Sequence, residues 1–226
     1  AEGDAMGYGI SLSNDKDTFI AGTPTTPSYG NGDMTGHTRI FDWNGSAWVQ
    51  RGSDIDGEAE EDYMGYGISL SNDNDTFIIG APYNDGNGTG SGHARIFDWN
   101  GSAWVQRGLG INGKKSYFSH EVSLSNNSNT VAITGGDTVV YDWDGSAWVQ
   151  RGLDISASSS VSMSDNGNTV AIAKTLVYDW DGSAWVQRGL EIEPSYLPYG
   201  SDVGLTYGLG RAQKKVSISS NGNTVA

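Results

Sequence analysis

An internal repeat constrains the fold of this chain more than any other feature. The string DWNGSAWVQRG occupies residues 42–52 and 98–108, and DWDGSAWVQRG occupies residues 142–152 and 179–189. Such repeats indicate a supersecondary unit that buries its apolar faces by stacking against its neighbours. We therefore expect the eight tryptophans, all within these copies, to be structural and mostly buried between units or at their edges. They are Trp43, Trp48, Trp99, Trp104, Trp143, Trp148, Trp180 and Trp185.

A second motif precedes each copy of the first. It reads SLSNDKDTFI from Ser11 and recurs, with changes, from Ser69, Ser123, Ser162 and Ser217. The chain thus has five copies of this motif and four of the tryptophan motif. Because an unfinished unit leaves an apolar sheet edge, we expect a longer natural polypeptide or a neighbouring chain that completes the last unit.

Each unit is predicted to form four strands. In the second unit, the apolar run Thr76–Gly80 is typical of a strand buried on both faces. Asn100-Gly101 predicts a two-residue type I′ turn, because that turn needs positive φ at both positions. The predicted elements of this unit are strand Gly65–Ser71, turn Asn72–Asp75, and strands Thr76–Gly80, His93–Trp99 and Ser102–Arg107.

The predicted turn has consequences for both faces of the hairpin. It places Phe97 opposite Trp104, on the face that also carries Trp99. Ile96, Ala103 and Val105 would line the other face. A ribbon with two apolar faces needs a neighbour on each side, as a propeller blade has; a solenoid or a stacked sandwich would also bury both faces.

The fold class that we predict is an all-β propeller of four-stranded antiparallel blades. The whole chain, residues 1–226, would be one repeat domain. Its blades are predicted at about 1–52, 53–108, 109–152 and 153–189, with a partial fifth at 190–226.

Composition limits the partners. The formal net charge of −14 would be repelled by nucleic acid and by anionic membrane surfaces. The chain has no cysteine, so neither a disulfide framework nor a thiolate metal site is expected. No apolar run approaches the roughly 18 residues of a membrane helix, and we expect no membrane insertion.

The sequence resembles a known repeat family. GYGISLSNDNDTFIIGAP at 65–82, followed by GHARIFDWNGSAWVQ at 92–106, is similar to FG-GAP-type propeller repeats of secreted and cell-surface proteins, in the variant found in marine bacteria and algae. The same pair recurs at 7–24 and 36–50. The resemblance implies a propeller outside the cell, used for adhesion or assembly. Many family members bind calcium in the first hairpin loop, but loop 72–75 is too short to wrap an ion with six or more oxygens.

Function is expected at one end of the predicted propeller. Loops between the second and third strands share this end with the connections between blades, and both vary in length and sequence. Variable loops on a rigid scaffold commonly carry binding residues. The candidates on this variable-loop face are Asp54, Asp56, Glu58, Glu61, Asp62, Tyr83, Asn84 and Asp85.

The acidic segment 54–62 allows two interpretations. It has six carboxylates in nine residues and could hold a hard cation such as calcium at Asp54, Asp56 and Glu58, or it could be a solvated acidic loop. Tyrosines fall on or near the same loops, and tyrosine is a common contact residue at interfaces. These are Tyr63, Tyr66, Tyr83, Tyr117, Tyr196 and Tyr199.

Catalysis is not expected. His37 and His93 occupy the same place in the repeat, and His120 stands alone. No nucleophile elbow, phosphate-binding glycine loop or histidine metal motif occurs. The sequence therefore favours a non-enzymatic protein.

The predicted function is a structural and adhesive one, outside the cell or at its surface. The alternative is a discrete lectin-like module that binds a glycan or a protein on the variable-loop face. Partners would be surface proteins or glycans, or further copies of the chain. Five sequons would carry glycans if the source is a secreting eukaryote. They are Asn44, Asn74, Asn87, Asn100 and Asn126.

Overall fold

The computed structural model describes residues 6–24, 34–114, 118–157, 159–173, 176–191 and 216–225. Their regular structure consists of eighteen β-strands in four antiparallel sheets. No described segment forms a helix long and apolar enough to cross a membrane.

The first four strands of each sheet pair in the order in which they follow one another along the chain. Sheet one contains β1 (Ile10–Leu12), β2 (Thr18–Thr23), β3 (His37–Trp43), β4 (Trp48–Gln50) and β5 (Ile55–Asp56). Sheet two contains β6 (Ile68–Leu70), β7 (Thr76–Ala81), β8 (His93–Trp99), β9 (Trp104–Gln106) and β10 (Ile111–Asn112). Sheet three contains β11 (Glu121–Leu124), β12 (Thr130–Gly135), β13 (Asp137–Trp143) and β14 (Trp148–Gln150). Sheet four contains β15 (Val161–Met163), β16 (Thr169–Ile172), β17 (Leu176–Trp180) and β18 (Trp185–Gln187).

The second strand of each sheet is the most deeply buried, as its apolar run predicts. All six residues of β7 and all four of β16 are buried. The apolar cores lie between sheets: Ile20 and Ile40 of sheet one pack with Phe77 of sheet two, and Ile78 packs with Val131 of sheet three. Both faces of an inner sheet are therefore covered by its neighbours.

The tryptophan hairpin differs from its predicted form. Trp99 pairs with Trp104 and Phe97 with Gln106, so the loop has four residues and the predicted type I′ turn is wrong. Gly101 has φ +94°, whereas Asn100 is not in the positive-φ region. Asn100 Oδ1 instead accepts hydrogen bonds from the backbone N–H groups of Ser102 and Ala103, both at 2.9 Å. The asparagine thus acts through its side-chain oxygen, which an aspartate can replace.

The outer edge of a sheet is made of two segments. In sheet one, β4 pairs with the end of β3 and β5 pairs with its start, at His37 and Thr38. Sheet two repeats this with β9 and β10, both paired with β8. The short strands β5 and β10 thus complete the preceding sheet, although they lie just past the predicted boundaries at residues 52 and 108.

An arginine that follows each tryptophan strand connects one sheet to the next. Arg107 donates from Nε to Asp98 of its own sheet at 2.6 Å and from Nη1 to the Ser128 carbonyl of sheet three. Its guanidinium also lies 6.0 Å from the Trp143 ring centroid. Arg151 repeats the arrangement with Asp142, Gly167 and Trp180.

The tryptophans complete the same interface from the other side. The indole N–H of Trp148 donates to the Arg107 carbonyl at 3.1 Å, and that of Trp185 donates to the Arg151 carbonyl at 3.0 Å. A Cβ on Gly108 would lie 2.7 Å from the Trp143 ring, so the position after Arg107 has no room for a side chain. The Arg-Gly pair at the end of one unit therefore packs closely against the tryptophan pair of the next unit.

A serine in each inner strand links neighbouring sheets. The Leu70 amide donates to Ser11 Oγ at 3.1 Å, and the Leu124 amide donates to Ser69 Oγ at 3.0 Å. The Ile218 amide donates in the same way to Ser162 at 3.1 Å. This last bond places residues 216–225 against sheet four, as the first hairpin of a fifth unit.

Tryptophan burial depends on the neighbouring sheet. Trp104 is buried, with 9% of its surface exposed, but Trp43 and Trp48 are 41% and 42% exposed. Among the described residues, sheet one receives no Arg-Gly pair from another sheet. The expectation that the tryptophans are mostly buried is therefore wrong for this first pair.

Candidate functional site

The inner strands of three sheets begin side by side, and two aromatic residues and a histidine mark these starts. Tyr8, Tyr66 and His120 occupy equivalent repeat positions: Tyr8 and Tyr66 lie two residues before β1 and β6, and His120 lies directly before β11. Together with Glu121 they line a small cavity of about 60 Å³. This cavity lies on the variable-loop face predicted to carry function.

The aromatic rings form one connected group, which we call the tyrosine cluster: Tyr8, Tyr63, Tyr66, Tyr83 and His120. Ring centroids are 4.5 Å apart for Tyr8 and Tyr66, and 5.1 Å apart for Tyr66 and His120. Tyr63 and Tyr83 lie 4.9 Å apart, and both approach Tyr66 within 6.5 Å. Tyr8 and Tyr83 remain 53% and 38% exposed, so the cluster presents aromatic surface to solvent.

Tyr66 is the centre of the cluster. Burial, together with the hydrogen bond with Tyr8, raises the pKa of its hydroxyl to about 12. The group therefore stays neutral at physiological pH and can both donate and accept hydrogen bonds. A neutral hydroxyl next to exposed ring surface suits a ligand with polar and apolar parts.

The backbone leading to the cluster is in an uncommon conformation. Glu61 and Tyr63 have φ of +65° and +52°, in the left-handed region that few non-glycine residues adopt. Lys16, Asn74 and Ser128 also have positive φ, but they share one turn position that is Gly167 in the fourth unit. Glu61 and Tyr63 have no such structural role in the repeat, and strained backbone of this kind is enriched at functional sites.

The acidic segment is not assembled as a metal site. Asp54 accepts hydrogen bonds from Arg39 at 2.8 and 2.9 Å, and the Arg39 interaction lowers the pKa of the Asp54 carboxyl. Glu58 pairs with His93 Nδ1 at 2.9 Å, whereas Asp56 lies exposed in β5. No group of three acidic, histidine or cysteine side chains able to hold a metal ion occurs in the part of the chain described here.

Three other predicted residues stabilise the loops. Asp62 is 3% exposed, and its Oδ2 accepts hydrogen bonds from the Ala59 amide and from Asn84 Nδ2. Asn84 Oδ1 accepts from the Gly86 amide, and Asp85 Oδ1 accepts from the Gly90 amide. These contacts hold segment 57–64 against loop 81–92. Of the predicted binding residues, only Tyr83 is in the tyrosine cluster; Glu61 is exposed and precedes Tyr63 of the cluster by two residues in the chain.

Sequence reasoning named Tyr63 and Tyr66 only as tyrosines near the loops and did not group Tyr8 or His120 with them. The signal was present in the alignment of GYGISLS at 7–13 with GYGISLS at 65–71, which makes Tyr8 and Tyr66 equivalent. The radial stacking of inner strands then brings equivalent positions together.

The sequon asparagines differ in the hydrogen bonds that their side-chain amides make. Asn74 Nδ2 donates to Asp15 and Asn87 Nδ2 donates to the Gly113 carbonyl. Asn44 and Asn100 are exposed, and their Oδ1 atoms accept hydrogen bonds within their turns. Glycan attachment at any of the five, Asn126 included, stays a prediction.

Comparison with solved structures identifies the fold class. The structure is similar to TolB from Acinetobacter baumannii, with a TM-score of 0.56 and 13% identity over 98% of this chain and 48% of that one. It is also similar to a periplasmic gluconolactonase from Pseudomonas aeruginosa, with a TM-score of 0.57 and 12% identity over 96% of this chain and 63% of that one. Both are β-propellers, and at these identities the similarity concerns the fold alone. The chain spans less than two thirds of each.

The chain is thus an all-β propeller of four-stranded blades, as predicted, and sheets one to four are its blades. Residues 54–97 match the family model of the FG-GAP repeat, which confirms the resemblance. The other units repeat the motifs of that segment. No curated protein matches the sequence.

Proposed function

We propose that this protein is a non-enzymatic adhesive propeller of the cell surface or envelope, and that it holds a glycan or protein ligand at the tyrosine cluster. One observation carries the proposal: the cluster is built from residues that the repeat does not need. The position of Tyr66 is His120 in the third unit and Ser159 in the fourth, and the fold persists. Tyr63 and Tyr83 lie in segments whose length and sequence vary between units.

The resemblance to a repeat family supports the proposed location. FG-GAP repeats occur in extracellular proteins. This supports a place outside the cytoplasm. The absence of cysteine is compatible with that place and does not determine it.

A binding role fits the chemistry of the site better than a catalytic one. Among the described residues, His93 is half-buried between blades with its Nδ1 in hydrogen-bond contact with Glu58, and burial lowers the pKa of its imidazole. The ring of His120 packs against Tyr66. Neither histidine is paired with a nucleophile by any described contact, as a covalent mechanism would require. The similarity to a gluconolactonase at 12% identity concerns the fold alone.

A structural role for the blades themselves is the second candidate. Its support is the repetition of the arginine–tryptophan interface, which joins one blade to the next independently of the variable loops. A regular polymer of the protein in native material would favour this role over a discrete binding site.

The test uses the immobilised chain against a glycan array and against labelled surface proteins. The variant Tyr66→Ser with Tyr83→Ala introduces at position 66 the residue found at Ser159, so the fold should persist. We expect its affinity for the captured ligand to fall at least tenfold. Asp17→Asn, in an exposed turn at the opposite end of blade one, is the matched control and should bind normally. Equal affinity of both variants and the unmodified chain would contradict the proposal.

A further inference from the structure

Two clefts at the outer rim, between neighbouring blades, share the same apolar and aromatic lining residues. The first, of about 320 Å³, lies between blades two and three and is lined by Leu109, Ile111, Tyr141 and Trp148. The second, of about 520 Å³, lies between blades three and four and is lined by the equivalent residues Leu153, Ile155, Tyr178 and Trp185. We call these the rim clefts. Their volumes are in the range of small-molecule binding sites.

The leucines at the mouths of the rim clefts are not needed by the fold. Leu109 and Leu153 are 88% and 86% exposed. The equivalent position between blades one and two is Ser53, in the same Arg-Gly turn. A large apolar side chain is therefore kept in solvent at both clefts without any packing role in the structure.

The aromatic walls of the rim clefts are fixed in place. The indole N–H groups of Trp148 and Trp185 are held by carbonyls of the preceding blade, at 3.1 and 3.0 Å. Their orientation is thus set before any ligand arrives, which lowers the entropic cost of binding. Tyr141 and Tyr178 supply a hydroxyl where the interface of blades one and two has Phe97.

Polar groups surround the aromatic wall of the first cleft. An adjoining cavity of about 90 Å³ shares Tyr141 and Asn112 with it, and is also lined by Lys114 and Asp154. Lys114 Nζ donates to Gln150, whose amide donates to Asp154 at 2.7 Å. Hydrogen-bonding groups therefore lie next to a fixed aromatic face, in two adjoining cavities that share Asn112 and Tyr141.

We propose that the rim clefts are two equivalent binding sites for neutral glycans, separate from the tyrosine cluster. A sugar ring has an apolar C–H face that suits tryptophan and leucine, and hydroxyls that suit tyrosine, asparagine and serine. The net charge of −14 and the carboxylate of Asp154 disfavour anionic sugars. An extended peptide would pair with a continuous strand edge, and the Arg-Gly turn interrupts that edge between β9 and β10. Two equivalent sites on one rigid body would give avidity towards a surface that displays many copies of a sugar.

The test measures stoichiometry by titration calorimetry with neutral oligosaccharides, such as gluco-, manno- and galacto-configured series. The variant Leu109→Ser with Tyr141→Phe gives the first cleft the residues of the interface between blades one and two, as Leu153→Ser with Tyr178→Phe does for the second. Because the chain already tolerates these residues at Ser53 and Phe97, the variants should fold. We expect each pair to remove one bound glycan per chain, and the four substitutions together to remove both.

Leu190→Ser is the matched control, because Leu190 is 90% exposed at the same repeat position and lines neither rim cleft. It should leave the stoichiometry unchanged. Absence of binding by every neutral series, or binding that the rim variants do not alter, would overturn the proposal. Binding that is lost with Tyr66→Ser alone belongs to the tyrosine cluster and also overturns it. Capture of an apolar peptide with the same sensitivity to the rim variants would assign the clefts to a peptide instead.

Discussion

Single residues of the tryptophan hairpin have exchangeable roles. Asn44 and Asn100 in the first two units are Asp144 and Asp181 in the next two, and each accepts the same three hydrogen bonds through Oδ1. Backbone N–H groups of Ala147 and Ser146 lower the pKa of the Asp144 carboxyl. Only the aspartates can lose this role by protonation.

The first prediction concerns acid stability. Because the pKa of Asp144 is lowered on folding, its contribution is present above the unfolded pKa of 3.8 and is lost as the pH falls through the folded value. Asp181 behaves alike. Asp144→Asn with Asp181→Asn should therefore leave the urea midpoint at pH 7 unchanged and reduce its fall at pH 3. The reverse change, Asn44→Asp, should increase that fall. Identical pH profiles for all variants would contradict this account of the turn.

A second prediction at this scale compares two equivalent tryptophans. Trp104 is buried against blade one, whereas Trp48 is 42% exposed. Trp104→Ala should lower the free energy of unfolding by about 3–5 kcal/mol, because it leaves a cavity in the core. Trp48→Ala should lower the free energy of unfolding by markedly less. Urea denaturation of both variants measures the difference, and equal losses would show that the interface between blades does not set the burial.

At the scale of elements, the arginine that follows each tryptophan strand makes the main polar contact between one blade and the next. Arg151 binds Asp142 of its own blade at 2.6 Å, reaches the Gly167 carbonyl of the next, and lies 5.5 Å from the Trp180 ring. Only a planar guanidinium can make these contacts together. Lysine keeps the charge but has a single nitrogen.

The third prediction follows from that geometry. Arg151→Lys should lower the free energy of unfolding by about 1–3 kcal/mol, since it breaks a largely buried network. Arg39→Lys is the control, because Arg39 pairs with Asp54 within one blade and is 27% exposed. A change of about 1 kcal/mol or less is expected there. If the two substitutions lower the free energy of unfolding equally, the contact between blades adds nothing to stability.

The elements were predictable where one local pattern decides them. The run TFIIG and the turn NDND fixed the first hairpin of blade two, and β7 begins at Thr76 as expected. Asn100-Gly101 was misread because the same pair suits a type I′ turn and a side-chain-capped loop of four residues. Asp144 and Asp181 occupy the same turn position in units three and four. Asparagine and aspartate share only a side-chain oxygen acceptor, and this indicates the capped loop rather than the type I′ turn.

The site was less predictable, because its contacts are long-range. The segment 54–62 was a reasonable calcium candidate by spacing, yet Arg39 pairs with Asp54, and His93 of the next blade pairs with Glu58. The tyrosine cluster joins residues 8, 63, 66, 83 and 120, and only radial stacking of the inner strands brings them together. The spacing of residues within one unit does not show which residues of neighbouring units this stacking brings together.

At the scale of the whole molecule, residues divide by whether they recur. Those that recur hold blades together: the serine of the inner strand, the tryptophan pair and the Arg-Gly ending. Of those that vary between units, Tyr63, Tyr83 and His120 lie on the variable-loop face. This division is the central claim, because it assigns cohesion to the repeat and ligand binding at the tyrosine cluster to positions where the units differ.

Hydrogen–deuterium exchange of the chain with and without its captured ligand tests that claim most directly. We expect the ligand to protect amides in segments 57–66, 81–92 and 118–121, which surround the tyrosine cluster. The constant turns at 14–17 and 72–75, at the opposite end of the blades, should exchange at unchanged rates. Protection confined to those constant turns, with the tyrosine cluster unaffected, would contradict the account.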